Sequence, residues 1–492
     1  MSWSRNSFII KNDGTLWGCG NNQYGELGLG DTSNRTTFTQ IATNTNNIRS
    51  IYCGDNHTII LKNDGTLWGT GYNYYGVLGL GDTSTRYTFT QITTNVNDIK
   101  SVYCGSRQTF ILKNDGTLWG TGYNGNGELG LGDTTHRTIF TKITTNADNI
   151  KSISCGYYHT CMLKNDGTLW GCGENSYGQL GLGKTTSTET IFTQITTKVN
   201  DVKSVHCGGR FTLMLKNDGT LWTCGHNGYG QLGLGDTSDR ATFTQVTTNV
   251  DNIKSIYCGN YYCSFILKND GTLWGCGHNS YGEFGLGDSS TRTTFTITSI
   301  NTNGIKSIYC GYYHVSILKD NGTLWVCGYN GEGQLGLGDG KSRNVFTQVT
   351  TNVDNTKYLA DDYDMYITKI YDLKAGYTET LDTNNFRNIP VNKFEKLKVL
   401  CANPDNTYLN CLISFDQKQT WKVFYGTAWT TISDISPENI ILNGMQLKTL
   451  DKLDKNKLIS GGFTGDLDFK IAMKTNDEKA TSSVTKIYIE YK

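Results

Sequence analysis

The sequence predicts an all-β chain, a seven-bladed β-propeller followed by a smaller β-sandwich. Three observations carry that expectation. One run of residues, LKNDGTLWGTGYNYYGVLGLGD from Leu61 to Asp82, recurs seven times with small changes. Its tryptophan falls at Trp17, Trp68, Trp119, Trp170, Trp222, Trp274 and Trp325, at intervals of 51, 51, 51, 52, 52 and 51 residues, and such a period marks a repeat architecture. Each period holds four short runs suited to strands, and four-stranded units repeated radially make a propeller.

The elements of one unit follow in order. IKSVYCG, from Ile99 to Gly105, is β-branched and aromatic, as a strand requires. TFILK (Thr109 to Lys113) is a second strand, and Asn-Asp-Gly leads from it into TLWGTG. A glycine-ended turn between two apolar runs predicts a tight hairpin of the primed type. The seventh unit reads Asp320-Asn321-Gly322, so glycine is kept and the carboxylate moves. That speaks against these aspartates as metal ligands. The G-x-N-x-x-G-x-L-G-L-G-D segment is too rich in glycine for a helix and reads as a compact loop. A closing run such as TFTQI supplies the fourth strand.

Together C-G-x-x-H-T, L-W-G-x-G and G-x-N-x-x-G-x-L-G-x-G closely resemble the regulator-of-chromosome-condensation repeat, over about residues 1 to 370. The resemblance implies seven blades closed by one blade shared between the two ends of the repeat region. The first unit begins inside its blade, near Ser7 to Lys11, and a worn copy at Thr356 to Lys369 is expected to supply the missing inner strand near Lys357 to Ala360. The family commonly has a proline before the last strand, where this chain has Phe38, Phe89, Phe140, Phe192, Phe243, Phe295 and Phe346. Its best-known activity, guanine-nucleotide exchange on a small GTPase, needs a protruding insertion, and the uniform spacing disfavours one.

Composition narrows the function classes. Lys plus Arg equals Asp plus Glu at 44 each, which gives no net field for nucleic acid or an anionic membrane. No apolar run approaches the roughly 20 residues of a spanning helix, and the start reads as a strand rather than a signal peptide. The expectation is synthesis in the cytoplasm, with a virion or extracellular destination if the chain is phage-borne. Of the 15 cysteines, Cys53, Cys104, Cys155, Cys207, Cys258 and Cys310 share one repeat position. Cys19, Cys172, Cys224, Cys276 and Cys327 share another, where Thr70 and Thr121 stand in. A role that threonine can fill is packing, so the thiols are read as buried and reduced, with no metal and no cofactor.

Residues repeated in every blade are scaffold. Asp31 and Arg35, and five equivalent pairs four residues apart, read as a bridge stapling the loop, while the fourth unit, with Lys184, lacks both partners. The slot of His57, His159 and His314 also takes Gln108, Phe211 and Tyr262, which suits packing rather than catalysis. Recognition is expected where the units differ. The turns after each Cys-Gly carry Tyr157, Tyr158, Arg210, Tyr261, Tyr312 and Tyr313, the composition of adaptable binding surfaces. Tyr74, Tyr75, His226 and His278 form a second, weaker set.

Beyond Tyr371, residues 372 to 492 hold all three prolines and alternating runs such as KLKVLCA and TKIYIEYK, expected to form the sandwich. Ser414-Phe415-Asp416 and Thr420-Trp421 resemble an Asp-box hairpin with Lys418 in place of its glycine. The segment also resembles modules of tail-fibre and tail-associated proteins of low-GC phages. The resulting expectation is a non-enzymatic binding protein, phage- or prophage-associated, that recognises a bacterial surface glycan or protein through the propeller and docks on a virion partner through the sandwich. A bacterial protein–protein scaffold is the alternative, and a glycan lyase or hydrolase ranks third.

Overall fold

The computed structural model describes residues 4–185, 188–259, 262–300 and 304–359, and the strands of a C-terminal segment. Two compact units divide the chain, Met1–Tyr363 and Asp364–Lys492. The first is a propeller of seven four-stranded antiparallel sheets. The second blade is typical, with strands Ile48–Cys53, His57–Lys62, Leu67–Gly71 and Arg86–Ile92 from the axis outward. The innermost strands of neighbouring blades approach one another around the ring.

Closure follows the split-blade expectation. Thr356–Leu359 lies antiparallel to Asn6–Lys11, with Ile9 opposite Leu359 and Ile10 opposite Tyr358. The first blade is thus built from both ends of the repeat region. Among the described residues there is no helix, and no helix long and apolar enough to cross a membrane.

The hairpin between second and third strands differs from the primed turn. Gly14 N–H bonds Lys11 O at 3.0 Å, and Gly14 has φ +82° while neither Asn12 nor Asp13 is left-handed. This is a type I turn followed by a glycine bulge, which needs one positive φ rather than two. The Asp13 carboxylate accepts from both the N–H and the hydroxyl of Thr15, and Thr15 Oγ1 accepts the Trp17 indole N–H at 2.9 Å. Lys11 Nζ sits 4.0 Å from the indole centroid. The seventh blade makes the same relay with Asn321 Oδ1, because it asks only for an acceptor.

Hydrophobic clusters lie between blades rather than within them. Ile59, Leu61 and Leu67 of the second blade pack with Val102, Ile111 and Phe140 of the third. The glycine-rich loop clasps the next blade. A Cβ on Gly79 would stand 2.6 Å from the Phe140 ring, and Gly28 meets Phe89 and Gly336 meets Phe38 in the same way. The phenylalanine expected before the last strand lies within it, as Phe89 does in Arg86–Ile92, and fills the seam that the loop glycine opens. Asn44, Asn95, Asn146, Asn249 and Asn352 add a polar clasp, each donating Nδ2 to the carbonyl of the next blade's phenylalanine.

The Asp–Arg pairs bridge as expected, from Arg35–Asp31 at 2.6 Å to Arg343–Asp339 at 2.8 Å. The carboxylate receives one nitrogen, and the other bonds a backbone carbonyl, as Arg86 does at Ser84 O. In the fourth blade the partners have not vanished. Lys184 bonds Glu189 at 2.8 Å, and Glu189 stands opposite Gly173 as Arg35 stands opposite Gly20. The pair is charge-reversed, and the extra residue hides it from a fixed-spacing comparison.

In the C-terminal unit, Ile389–Pro390, Asp466–Thr475, Thr407–Ser414, Trp421–Tyr425 and Ala428–Ile432 form a five-stranded sheet, and Phe394–Cys401 pairs with Val484–Tyr491. Ser414 stands opposite Trp421 in a hairpin, while Asp416 and Lys418 of the Asp-box lie outside the described residues.

Candidate recognition face

Two sets of loops meet on one face because of strand direction. The second strand of each blade starts, and the third ends, at the face where the Cys-Gly turn lies. The glycine-rich loop leaves from the same end. A hydrogen bond ties the two: Tyr72 N–H donates to Asn56 O, Tyr123 to Arg107 O, Glu174 to Tyr158 O and Tyr329 to Tyr313 O. The turns also hand on from blade to blade, Asp55 N–H to Ser106 O, Tyr157 N–H to Gly209 O and Tyr312 N–H to Ser4 O. The Cys-Gly turns are the floor near the axis, and the glycine-rich loops are the rim.

Aromatic side chains run along this rim from blade to blade. Tyr24 meets Tyr72 at 5.0 Å, and Tyr75 meets Tyr123 at 4.9 Å. Tyr123 reaches Tyr158 at 6.2 Å, and the Arg210 guanidinium lies between Tyr158 and Tyr177, 5.7 and 5.1 Å from their centroids. The run continues through His226 to Tyr229 and Tyr262, then through His278 to Tyr281, Tyr313 and Tyr329. Edge-on and tilted contacts dominate, as ring quadrupoles favour.

The expected site residues take unequal places. Tyr158, Arg210, Tyr312 and Tyr313 are half-buried in this band. Tyr157 is buried, 8% exposed, and its hydroxyl accepts from Arg107 Nη2 at 3.1 Å. It supports Tyr158, at 4.3 Å between centroids, rather than facing solvent. Tyr312 lies under the Arg5 guanidinium at 4.4 Å. Tyr261 lies outside the described residues. The most open rings belong to the second set and its neighbours: Tyr74 at 64%, Tyr24 at 41%, Tyr229 at 39% and Tyr281 at 38%. The six expected residues come from blades four to seven, whereas the aromatic band draws on the rim of all seven. Comparing turn with turn treats the two sets apart, and the backbone bond that joins them is tertiary.

The histidine slot is a seam position. His57 Nε2 bonds Thr109 Oγ1, His159 bonds Thr212 and His314 bonds Ser7 of the next blade, at 3.1, 3.0 and 3.0 Å. Burial pushes His57 and His314 down to about 3, so both stay neutral at ordinary pH. In the sixth blade the slot holds Cys263, opposite Gly277, and not Tyr262; one extra residue in the turn shifts the register. Tyr262 is freed to join the rim.

Residues 13–61 and 64–112 match the regulator of chromosome condensation (RCC1) repeat, and residues 137–368 match the RCC1-like domain. The Arabidopsis thaliana ultraviolet-B receptor UVR8 is 31% identical over 333 residues, covering 67% of this chain and 75% of that protein. The chain belongs to the RCC1 repeat family. Among other RCC1-family relatives, the human X-linked retinitis pigmentosa GTPase regulator is 31% identical over 296 residues, 58% of this chain and 28% of that longer protein. The fold is that of yeast RCC1 (Prp20), solved bound to Kap60, with TM-score 0.62, 20% identity and coverage of 72% of this chain and 86% of that one. Human WBSCR16 gives TM-score 0.59 at 21% identity, over 70% of this chain and 94% of its own.

Proposed function

We propose that this RCC1-family chain is a non-catalytic recognition protein whose ligand lies across the aromatic rim of the propeller. The observation that carries the reading is the run of tyrosine, histidine and arginine from blade to blade, with Tyr24, Tyr74, Tyr229 and Tyr281 left open at its crest. An extended glycan presents apolar C–H faces edged by hydroxyls. Tyrosine meets both with two side-chain torsions to fix, and Arg107 and Arg210 supply directed donors. The ligand we favour is a bacterial surface glycan. The phage or prophage tail setting rests on the sequence of the C-terminal segment, which we read as a docking sandwich for a virion partner.

The test is adsorption of the full-length chain to host cells and to their purified surface polysaccharide. A Tyr74→Ser, Tyr229→Ser, Tyr281→Ser variant should fold normally and lose at least tenfold in affinity, since buried aromatic anchors commonly cost about 2 kcal/mol or more on truncation. Unchanged adsorption by that variant refutes the rim as the binding surface. Loss of binding to a small GTPase instead of a glycan would make the protein a regulator, in keeping with the name of the human relative.

A further inference from the structure

We infer that the seam between the fourth and fifth blades holds a divalent soft-metal site, of zinc type, formed by His159, Cys161 and Cys207. His159 and Cys161 lie two apart on the strand His159–Lys164 and so point to one face. Cys207 ends the innermost strand of the next blade, Val202–Cys207. A ring nitrogen of His159 and the two Sγ atoms lie within 4.8 Å of one another. All three side chains are buried, at 0%, 0% and 1% exposure. A tetrahedral zinc with bonds of ~2.3 Å to sulfur and ~2.0 Å to nitrogen sets its ligand atoms roughly 3.4 to 3.8 Å apart, so side-chain torsions suffice to close the site.

The other blades show what is unusual here. Where Cys161 stands, the remaining units carry Phe8, Ile59, Phe110, Leu213, Phe265 and Ser316. Large apolar side chains fill five of those six positions, so packing alone does not explain a thiol. The histidine and the inner-strand cysteine recur elsewhere as seam residues, and the sixth blade brings Cys263 toward Cys310, but among the described residues only the fourth blade sets a second sulfur beside a slot histidine. His159 also has a bond to Thr212 Oγ1 at 3.0 Å, which fixes its ring, while its Nδ1 is buried without a hydrogen-bond partner. Metal-bound histidines are commonly oriented through a second hydrogen bond of this kind.

Charge selects the ion. Two thiolates and a neutral imidazole carry two negative charges, which a divalent cation neutralises; a monovalent copper would leave one charge buried. The ligand set lacks the oxygens that calcium or magnesium requires. Loading releases two protons, including the one that Cys207 Sγ now donates to Ser154 O at 3.2 Å.

The experiment uses full-length protein expressed with added zinc, desalted with reductant and analysed for metal and thiols. The expected result is close to one zinc per chain that resists EDTA in the folded state. Unfolding in EDTA should release it and expose all 15 thiols. Cobalt(II) loading should give a thiolate charge-transfer band. Cys161→Leu and His159→Gln install the residues found as Leu213 and Gln108 in sister blades. Both should keep the fold and lose the metal, while Cys53→Ser retains it. Metal-free protein with fully reduced thiols overturns the inference, and so does a Cys161–Cys207 disulfide found by peptide mapping.

Discussion

Replacing Glu26 by glutamine should stabilise the propeller near pH 8 and leave it almost unchanged near pH 4. Glu26 lies in the glycine-rich loop, 1% exposed, and its carboxylate accepts the Tyr24 N–H at 2.8 Å while Oε1 has no partner. Burial pushes this acid up from 4.5 to about 7. The folded chain therefore holds the proton more tightly than the unfolded one, and stability falls as pH rises through that window. At about 1.4 kcal/mol per pH unit, the ionised group costs about 3 kcal/mol near pH 8 and a few tenths near pH 4. Sister blades carry Gln179, Gln231 and Gln334 in the same place, each accepting the equivalent amide proton. Gln179 and Gln334 leave Nε2 without a partner, as Glu26 leaves Oε1, so the exchange adds no new penalty. Thermal melts of wild type and Glu26→Gln at both pH values should differ by several degrees at the higher and by little at the lower. Equal shifts at both, or a destabilised variant near pH 8, would refute the argument.

Further outcomes follow from the seams and the closure. Gly79→Ala places a methyl against Phe140 at φ +69°, whereas Gly65→Ala at φ +83° meets open space. Denaturant unfolding should show the first costing about 3 kcal/mol or more and the second about 1. Ending the propeller after Val349 removes the strand paired with Asn6–Lys11, so light scattering should show association through the bared edge, with a lower melting temperature. Reversing Glu189 to lysine should cost less than about 1 kcal/mol, since the pair is partly exposed, and Lys184→Glu in the same chain should recover most of it in a double-mutant cycle.

Much of this was legible in the sequence, and the reasons are physical. A side chain needed at every seam recurs at every seam, so Trp68, the loop glycines and the closing strand near Lys357 announce themselves by period. What escaped was register. One extra residue moves Cys263 into the slot assigned to Tyr262, and another disguises Lys184 and Glu189 as an absence. The hairpin turn type was missed because Asn-Asp-Gly suits both forms, and only the backbone shows that Gly14 alone among the turn residues is left-handed. The rim was half seen: the two loop sets were each visible, but their joining depends on bonds such as Tyr72 N–H to Asn56 O. The sulfur pair of Cys161 and Cys207 was invisible, since its members come from different blades.

The glycine-on-phenylalanine clasp makes every joint in the ring accept the same counterpart. Gly28 could receive Phe140 as readily as Phe89, because each loop offers one gap and each neighbour one ring. At this contact the blades are interchangeable, so exchanging one for another would keep the glycine–phenylalanine clasp while rearranging the side chains displayed at the rim. Selection acting on such a chain can compose new displays by recombination between its own repeats, with no clasp to redesign each time.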